Sequence, residues 1–156
     1  MDCTFKTQEG RFNYRVGAII IHDNKILMVK NSRDPNYYSV GGRIHLHETM
    51  EDAIKRECFE ETGISFDIDR MGYIHENFFI MKHTGELYHE LSIYYYMKPV
   101  DNYNLICKSL TEDGITESLK WIPLDNIENY EVYPTFFKDK KLIEEHEVLH
   151  IVNQEY

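Results

Sequence analysis

Apolar positions along this chain fall into runs separated by short polar breaks, and the runs carry two different periods. Phe12 to Ile21 (FNYRVGAIII) is rich in aromatic and β-branched residues and predicts a strand. The polar break His22-Asp23-Asn24-Lys25 leads to a second strand, Ile26 to Val29, so the two predict a hairpin. Asn31 to Asn36 has the composition of a loop, and Tyr37 to Val40 predicts a short strand that ends at Gly41-Gly42. Phe66 to Met81 and Leu87 to Met97 predict two long strands joined through His83-Thr84-Gly85-Glu86, and Leu119 to Ile122 predicts another, ended by Pro123.

The helical period is clearest over Thr49 to Thr62. Thr49 is suited to cap this helix, with Asp52 three residues on, and Gly63 is suited to stop it. Leu124 to Asn129 and Pro134 to Glu145 also predict helices. Strands mixed with one central and two late helices predict an α/β fold, a sandwich around a mixed sheet. No repeat, low-complexity tract or Pro/Gly/Ser linker interrupts the 156 residues, so one domain over 1–156 is expected.

Composition narrows the function classes. Hydrophobic residues make up 42% of the chain, enough for a core, yet no apolar run is long enough to span a bilayer. Met1 to Arg15 lacks the apolar stretch of a secretory signal, so a cytoplasmic protein is expected. Cys3, Cys58 and Cys107 form no zinc pattern and no disulfide framework, and reduced thiols are the plain reading. The net charge of -10, without a Lys/Arg block, argues against polymeric nucleic acid as a partner. A small anionic substrate stays open, because a bound divalent cation reverses the local field. Dimerisation stays open as well, a homodimer being compatible with the sequence.

The acidic residues of the central helix change the picture more than their number does. Glu48, Glu51, Asp52, Glu57, Glu60 and Glu61 are opposed only by Lys55 and Arg56. Glu57, Glu60 and Glu61 share a helix face, and on a helical wheel they fall among Met50, Ala53 and Ile54, which should face the core. Carboxylates beside an apolar stripe are costly when unpaired, and a hard divalent cation is the most economical compensation. A solvated acidic face with ordinary ion pairs is the plainer alternative. Gly41-Gly42 just upstream favours the cation, since a glycine pair lets backbone approach a ligand and offers a carbonyl.

The stretch GRIHLHETMEDAIKRECFEETGI, Gly42 to Ile64, resembles the Nudix box, a glycine followed by spaced glutamates and R-E-U-x-E-E-x-G-U, with U a bulky apolar residue. Gly42, Glu48, Arg56, Glu57, Glu60, Glu61, Gly63 and Ile64 fall in register. Cys58 stands where a larger aliphatic is usual, and Val40 where the family often has proline. The resemblance implies a Nudix-type α/β/α sandwich and hydrolysis of a pyrophosphate linkage in a nucleoside diphosphate derivative. It implies Glu57, Glu60 and Glu61 as ligands of Mg²⁺ or Mn²⁺, with the Gly41 carbonyl joining them. Arg56 is implied to orient the acids, and Glu48 to act beside the metal or fix the loop.

The general base is open between Glu57, Glu61 and a loop acid before a late strand, where Glu112 and Glu117 lie; Glu117 is preferred, although an ordinary exposed acid is the plainer account of it. Arg33 and Arg43 flank the glycine turn and are candidate phosphate contacts, with Gly42 beside them. Among the aromatics, Tyr37, Tyr38, Tyr73, Phe78 and Phe79 are candidates for a nucleoside pocket, with sheet packing as the plainer account of each. The histidines show no metal spacing. A catalytically silent Nudix-like nucleotide-binding module is the competing class, and the complete set of box glutamates weighs against it.

Overall fold

The computed structural model describes residues 1–106 and 114–156, so Cys107 and Glu112 lie outside the described residues. Among the described residues, ten strands form one mixed sheet. They are β1 (Thr4–Lys6), β2 (Arg11–Ile19), β3 (Ile21–His22), β4 (Lys25–Asn31), β5 (Tyr37–Arg43), β6 (Ile68–Ile80), β7 (Leu87–Met97), β8 (Glu117–Pro123), β9 (Val132–Tyr133) and β10 (Leu149–Gln154). The path runs β10-β6-β7-β2-β5-β4-β3, with β1 added to β2, β8 to β4 and β9 to β5. The β2–β7, β5–β9 and β6–β10 pairs are parallel and the others antiparallel.

Strand residues alternate between two cores, one on each face, which is why these segments read as nearly continuous apolar runs. Val16, Ala18, Ile20, Leu27, Val29, Ile93 and Tyr95 pack with Ala53, Ile54 and Cys58 of helix α1 (Met50–Thr62). Ile19, Ile26, Met28, Tyr94 and Tyr96 face the other way, toward Ile127, Phe137 and Leu142. On that second face two tyrosine rings lie over glycines: a β-carbon on Gly17 would strike the Tyr94 ring, and one on Gly72 the Tyr96 ring.

Helix α1 begins and ends as its sequence predicts. Thr49 Oγ1 accepts from the Asp52 N–H at 3.1 Å and donates to the Asp52 carboxylate at 2.7 Å. Gly63 stops the helix at φ 75°. Cys58, fully buried in the first core, packs as a small hydrophobe.

Other expectations are corrected. The predicted strand Phe12 to Ile21 is divided at Ile20, because β2 bonds to β5 and β7 while β3 turns to bond β4. The hairpin is therefore short, built on Asp23 and Asn24 at φ 49° and 57°, the backbone that a tight two-residue turn requires. The late helices are 3-10 turns. Leu124–Asn129 is kinked at Asn126. Pro134 to Glu145 becomes Thr135–Lys138 and Lys140–Ile143, separated by an extended Asp139 whose side chain accepts from the Lys141 N–H at 2.9 Å. That local bond competes with helix continuation. The layer opposite α1 thus consists of 3-10 turns, and among the described residues α1 is the one main helix of this α/β fold. Strands β1, β9 and β10 were not anticipated. Among the described residues no helix is long and apolar enough to cross a membrane.

Candidate active site

The acidic residues of α1 meet strand β5 at Gly41 and Gly42. Gly41 has φ 143°, and a β-carbon there would strike the Val16 carbonyl, so the position excludes side chains. A β-carbon on Gly42 would lie 2.5 Å from the Glu57 carboxylate. The glycine pair thus lets the helix carboxylates come up against the strand. Glu61 Oε2 accepts a hydrogen bond from the Gly41 N–H at 2.9 Å.

Arg56 is the hub at the other end of the acidic ridge. Its Nε and Nη2 donate to the two Glu48 oxygens at 2.7 and 2.9 Å, a two-pronged clasp. Its Nη1 donates to Glu57 at 2.7 Å and to Glu60 at 3.3 Å, and its Nη2 also donates to the Arg43 carbonyl at 3.1 Å. Glu48 accepts in addition from the His45 N–H at 2.9 Å. One guanidinium therefore ties the loop before α1 to the helix and to β5.

Electrostatics divide the same carboxylates. The Arg56 hydrogen bonds hold Glu48 down to about 2. Burial pushes Glu61 up to about 8, and the charges of Glu57 and Glu117 add to the shift against the Gly41 N–H and Arg15. Burial also raises Glu57, with Arg56 opposing. Glu117 begins β8 opposite Asn31, and its charge reaches Glu61. Glu60 is more than half exposed, and its carboxylate is turned to Arg56. Among the described residues no three acidic, His or Cys side chains converge tightly enough to hold an ion in this arrangement.

The NUDIX domain family model matches residues 11–146. The chain belongs to the NUDIX domain family. It is 30% identical over 61 residues to a MutT-like protein of Streptomyces ambofaciens, covering 39% of this chain and 40% of that one. It thus spans less than half the length of that curated relative. A MutT protein structure from Bacillus halodurans shares the fold with a TM-score of 0.68 at 16% identity, over 88% of this chain and 89% of that one. A MutT NUDIX hydrolase structure from Burkholderia pseudomallei is 26% identical with a TM-score of 0.53, over 73% of this chain and 84% of that one.

Around the Nudix box the other candidate residues separate. Tyr38 stands on β5; its hydroxyl donates to Asp34 at 2.6 Å, and its ring stacks on Tyr133 at 5.9 Å. Burial and the Asp34 bond push its phenol up to about 12. Arg33 is exposed on the loop that Asn31 folds by accepting from the Arg33 and Asp34 N–H groups. Arg43 lies 3.5 Å from Asp2. Tyr73 is buried under Phe136, 4.4 Å between rings, and belongs to the second core. Tyr37 packs edge-on against Tyr130, while Phe78 stacks on His89 and Phe79 on Tyr88. Of the aromatic candidates these three meet sheet and loop neighbours, as the plainer account has it.

Sequence reading overlooked Arg15 and Glu90. They stand on neighbouring parallel strands, 3.7 Å between Nη1 and Oε2, and the Arg15 charge reaches Glu57 and Glu61. A signal was present: Arg11, Asn13 and Arg15 put polar residues at alternate positions of a strand that is apolar from Val16 onward.

Proposed function

We propose that this chain is a metal-dependent hydrolase that cuts a pyrophosphate linkage in a nucleoside diphosphate derivative, such as a nucleotide, a nucleotide sugar or ADP-ribose. The observation that carries the reading is the meeting of the Nudix-box helix with the glycine pair: Glu61 accepts from the Gly41 N–H at 2.9 Å and the Glu57 carboxylate lies against Gly42, where burial raises both carboxyls. Carboxylates gathered at such a place are costly without a positive partner. The all-oxygen donor set fits a hard divalent cation. Glu57, Glu60 and Glu61 with the Gly41 carbonyl would hold Mg²⁺ or Mn²⁺.

When bound, the ion neutralises phosphate charge and makes a water acidic enough to attack. The residues of the chain do the remaining work. Arg56 orients Glu57 and Glu60, and Glu48 fixes the loop through Arg56 and the His45 N–H. Glu117, near enough to Glu61 for their charges to repel, accepts the proton of the attacking water. The water oxygen bonds to phosphorus while the bond to the bridging oxygen breaks, which releases a nucleoside monophosphate and the phosphorylated remainder. Gly42, Arg33 and Arg43 are proposed phosphate contacts, and Tyr38, stacked with Tyr133, a proposed contact for the base.

A substrate panel tests the proposal. Nucleoside triphosphates, ADP-ribose, nucleotide sugars, NADH and dinucleoside polyphosphates are incubated with Mg²⁺ or Mn²⁺, and nucleoside monophosphate or phosphate release is followed by chromatography. Turnover that EDTA abolishes is expected. No turnover of any compound, with Mn²⁺ still bound, would replace the hydrolase with a silent nucleotide-binding module.

A further inference from the structure

Strand β2 turns Asn13 and Arg15 to the face away from α1, the face that Ile19 shares. The ladders put Arg15 opposite Arg43 of β5 and Ser92 of β7, and put Gly17, on the same face, opposite Gly41. Arg15 therefore stands next along that face from the backbone that holds Glu61.

Its neighbour Glu90 is closely held. Glu90 Oε2 accepts from Asn13 Nδ2 at 3.2 Å, and Oε1 accepts from Ser92 Oγ at 3.4 Å. Asn13 is fixed in turn by Thr4 Oγ1, which donates to Asn13 Oδ1 at 2.6 Å. Arg15 is not held in this way. A guanidinium has five N–H donors, yet among the described residues its contact with Glu90 at 3.7 Å is its one ion pair, and none of its N–H groups donates a hydrogen bond. Its side chain is 38% exposed. Its charge also reaches Glu57 and Glu61, two of the three carboxylates proposed to hold the cation.

A planar cation with unspent donors, anchored on one side and open on the other, matches the oxygen atoms of a phosphoryl group. We propose that Arg15 binds the phosphoryl oxygens of the substrate and that Glu90 is the positioning residue that aims it. The inference rests on the pyrophosphate reading and adds to it a cation outside the Nudix box. The three acidic side chains near Arg15, Glu57, Glu61 and Glu90, do not repel the substrate once a divalent ion is bound, because the ion and Arg15 together supply positive charge on the phosphates.

The test uses the full chain with Mg²⁺ and methylenediphosphonate, a base-free analogue that cannot be hydrolysed. Binding is measured by calorimetry for the unaltered protein, Arg15→Met, Arg15→Lys and Glu90→Gln. Thermal melts check that each variant folds, which is expected because Asn13 and Ser92 still hold Glu90 when Arg15 is shortened. Arg15→Met is expected to weaken binding about 10- to 100-fold, the scale of hydrogen bonds to a charged group. Arg15→Lys should restore part of that affinity, and Glu90→Gln should lose less than Arg15→Met. On any substrate the unaltered chain turns over, Arg15→Met should raise KM while changing kcat little.

A folded Arg15→Met protein with unchanged analogue affinity and KM overturns the inference, as does an unaltered chain that binds no methylenediphosphonate. If the unaltered chain binds the analogue through Arg15 but hydrolyses nothing in the substrate panel, the hydrolase reading falls and this inference stands.

Discussion

At the N-terminal end of the acidic ridge, Glu48 is clasped by Arg56 through two short hydrogen bonds, and its carboxyl lies at about 2. At the C-terminal end, Glu61 rests on one backbone N–H and its carboxyl rises to about 8. Both residues are glutamates of the same box, and both are drawn out of bulk solvent. The difference is the source of positive charge. Arg56 supplies it within the chain at one end; at the other, the fold favours a neutral carboxyl, and the proposed cation would supply the charge. One end holds the loop and helix together, and the other is the end where the cation is proposed to bind.

The comparison can be broken most decisively at Glu61. Glu61→Gln is expected to lower kcat/KM by about a hundredfold or more, since even partners behind metal ligands cost 10- to 100-fold. The same variant should melt at a higher temperature than the unaltered chain in EDTA above pH 8, because an amide carries no charge for burial to penalise. A lower melting temperature in EDTA would show that the two ends do not differ as argued.

Arg56→Ala should act in the opposite sense, costing about 2 kcal/mol of unfolding free energy in urea with or without metal, since it removes several charge-assisted hydrogen bonds at once. It should also reduce turnover, because Glu57 and Glu60 lose the group that orients them.

The smallest expected effect is in acid. Glu48 titrates well below its ordinary 4.5 in the folded chain, so its contribution to stability is complete above that value and is lost as pH falls from 4.5 through about 2. Urea midpoints measured from pH 6 down to pH 2.5 should fall less steeply for Glu48→Gln than for the unaltered chain. Equal slopes would remove Glu48 from the structural end of the ridge.

How much of this was legible in the sequence follows from the range of each interaction. The cap at Thr49, the stop at Gly63 and the shared helix face of Glu57 and Glu61 depend on residues near one another in the chain, and spacing alone exposes them. Strands buried on both faces, such as β2 and β7, announce themselves as apolar runs. Strand β10 does not, since LHIVNQ pairs only at the sheet edge through β6 and keeps polar residues exposed. Asp139 broke a predicted helix by a bond to its own local backbone, a competition that periodicity does not register. Arg15 and Glu90 were missed because only the parallel pairing of β2 with β7 brings them together.

The tyrosines lying over Gly17 and Gly72 bear on how this sheet can change by substitution. Each ring fills a space that exists only because its partner lacks a side chain, so neither residue of a pair is independently replaceable. A methyl group at residue 17 evicts the ring of Tyr94, while a small residue at 94 opens a trench above Gly17. A side chain at residue 17 or 72 therefore fits only with a smaller one at 94 or 96, so exchange at this face is favoured in pairs rather than single steps.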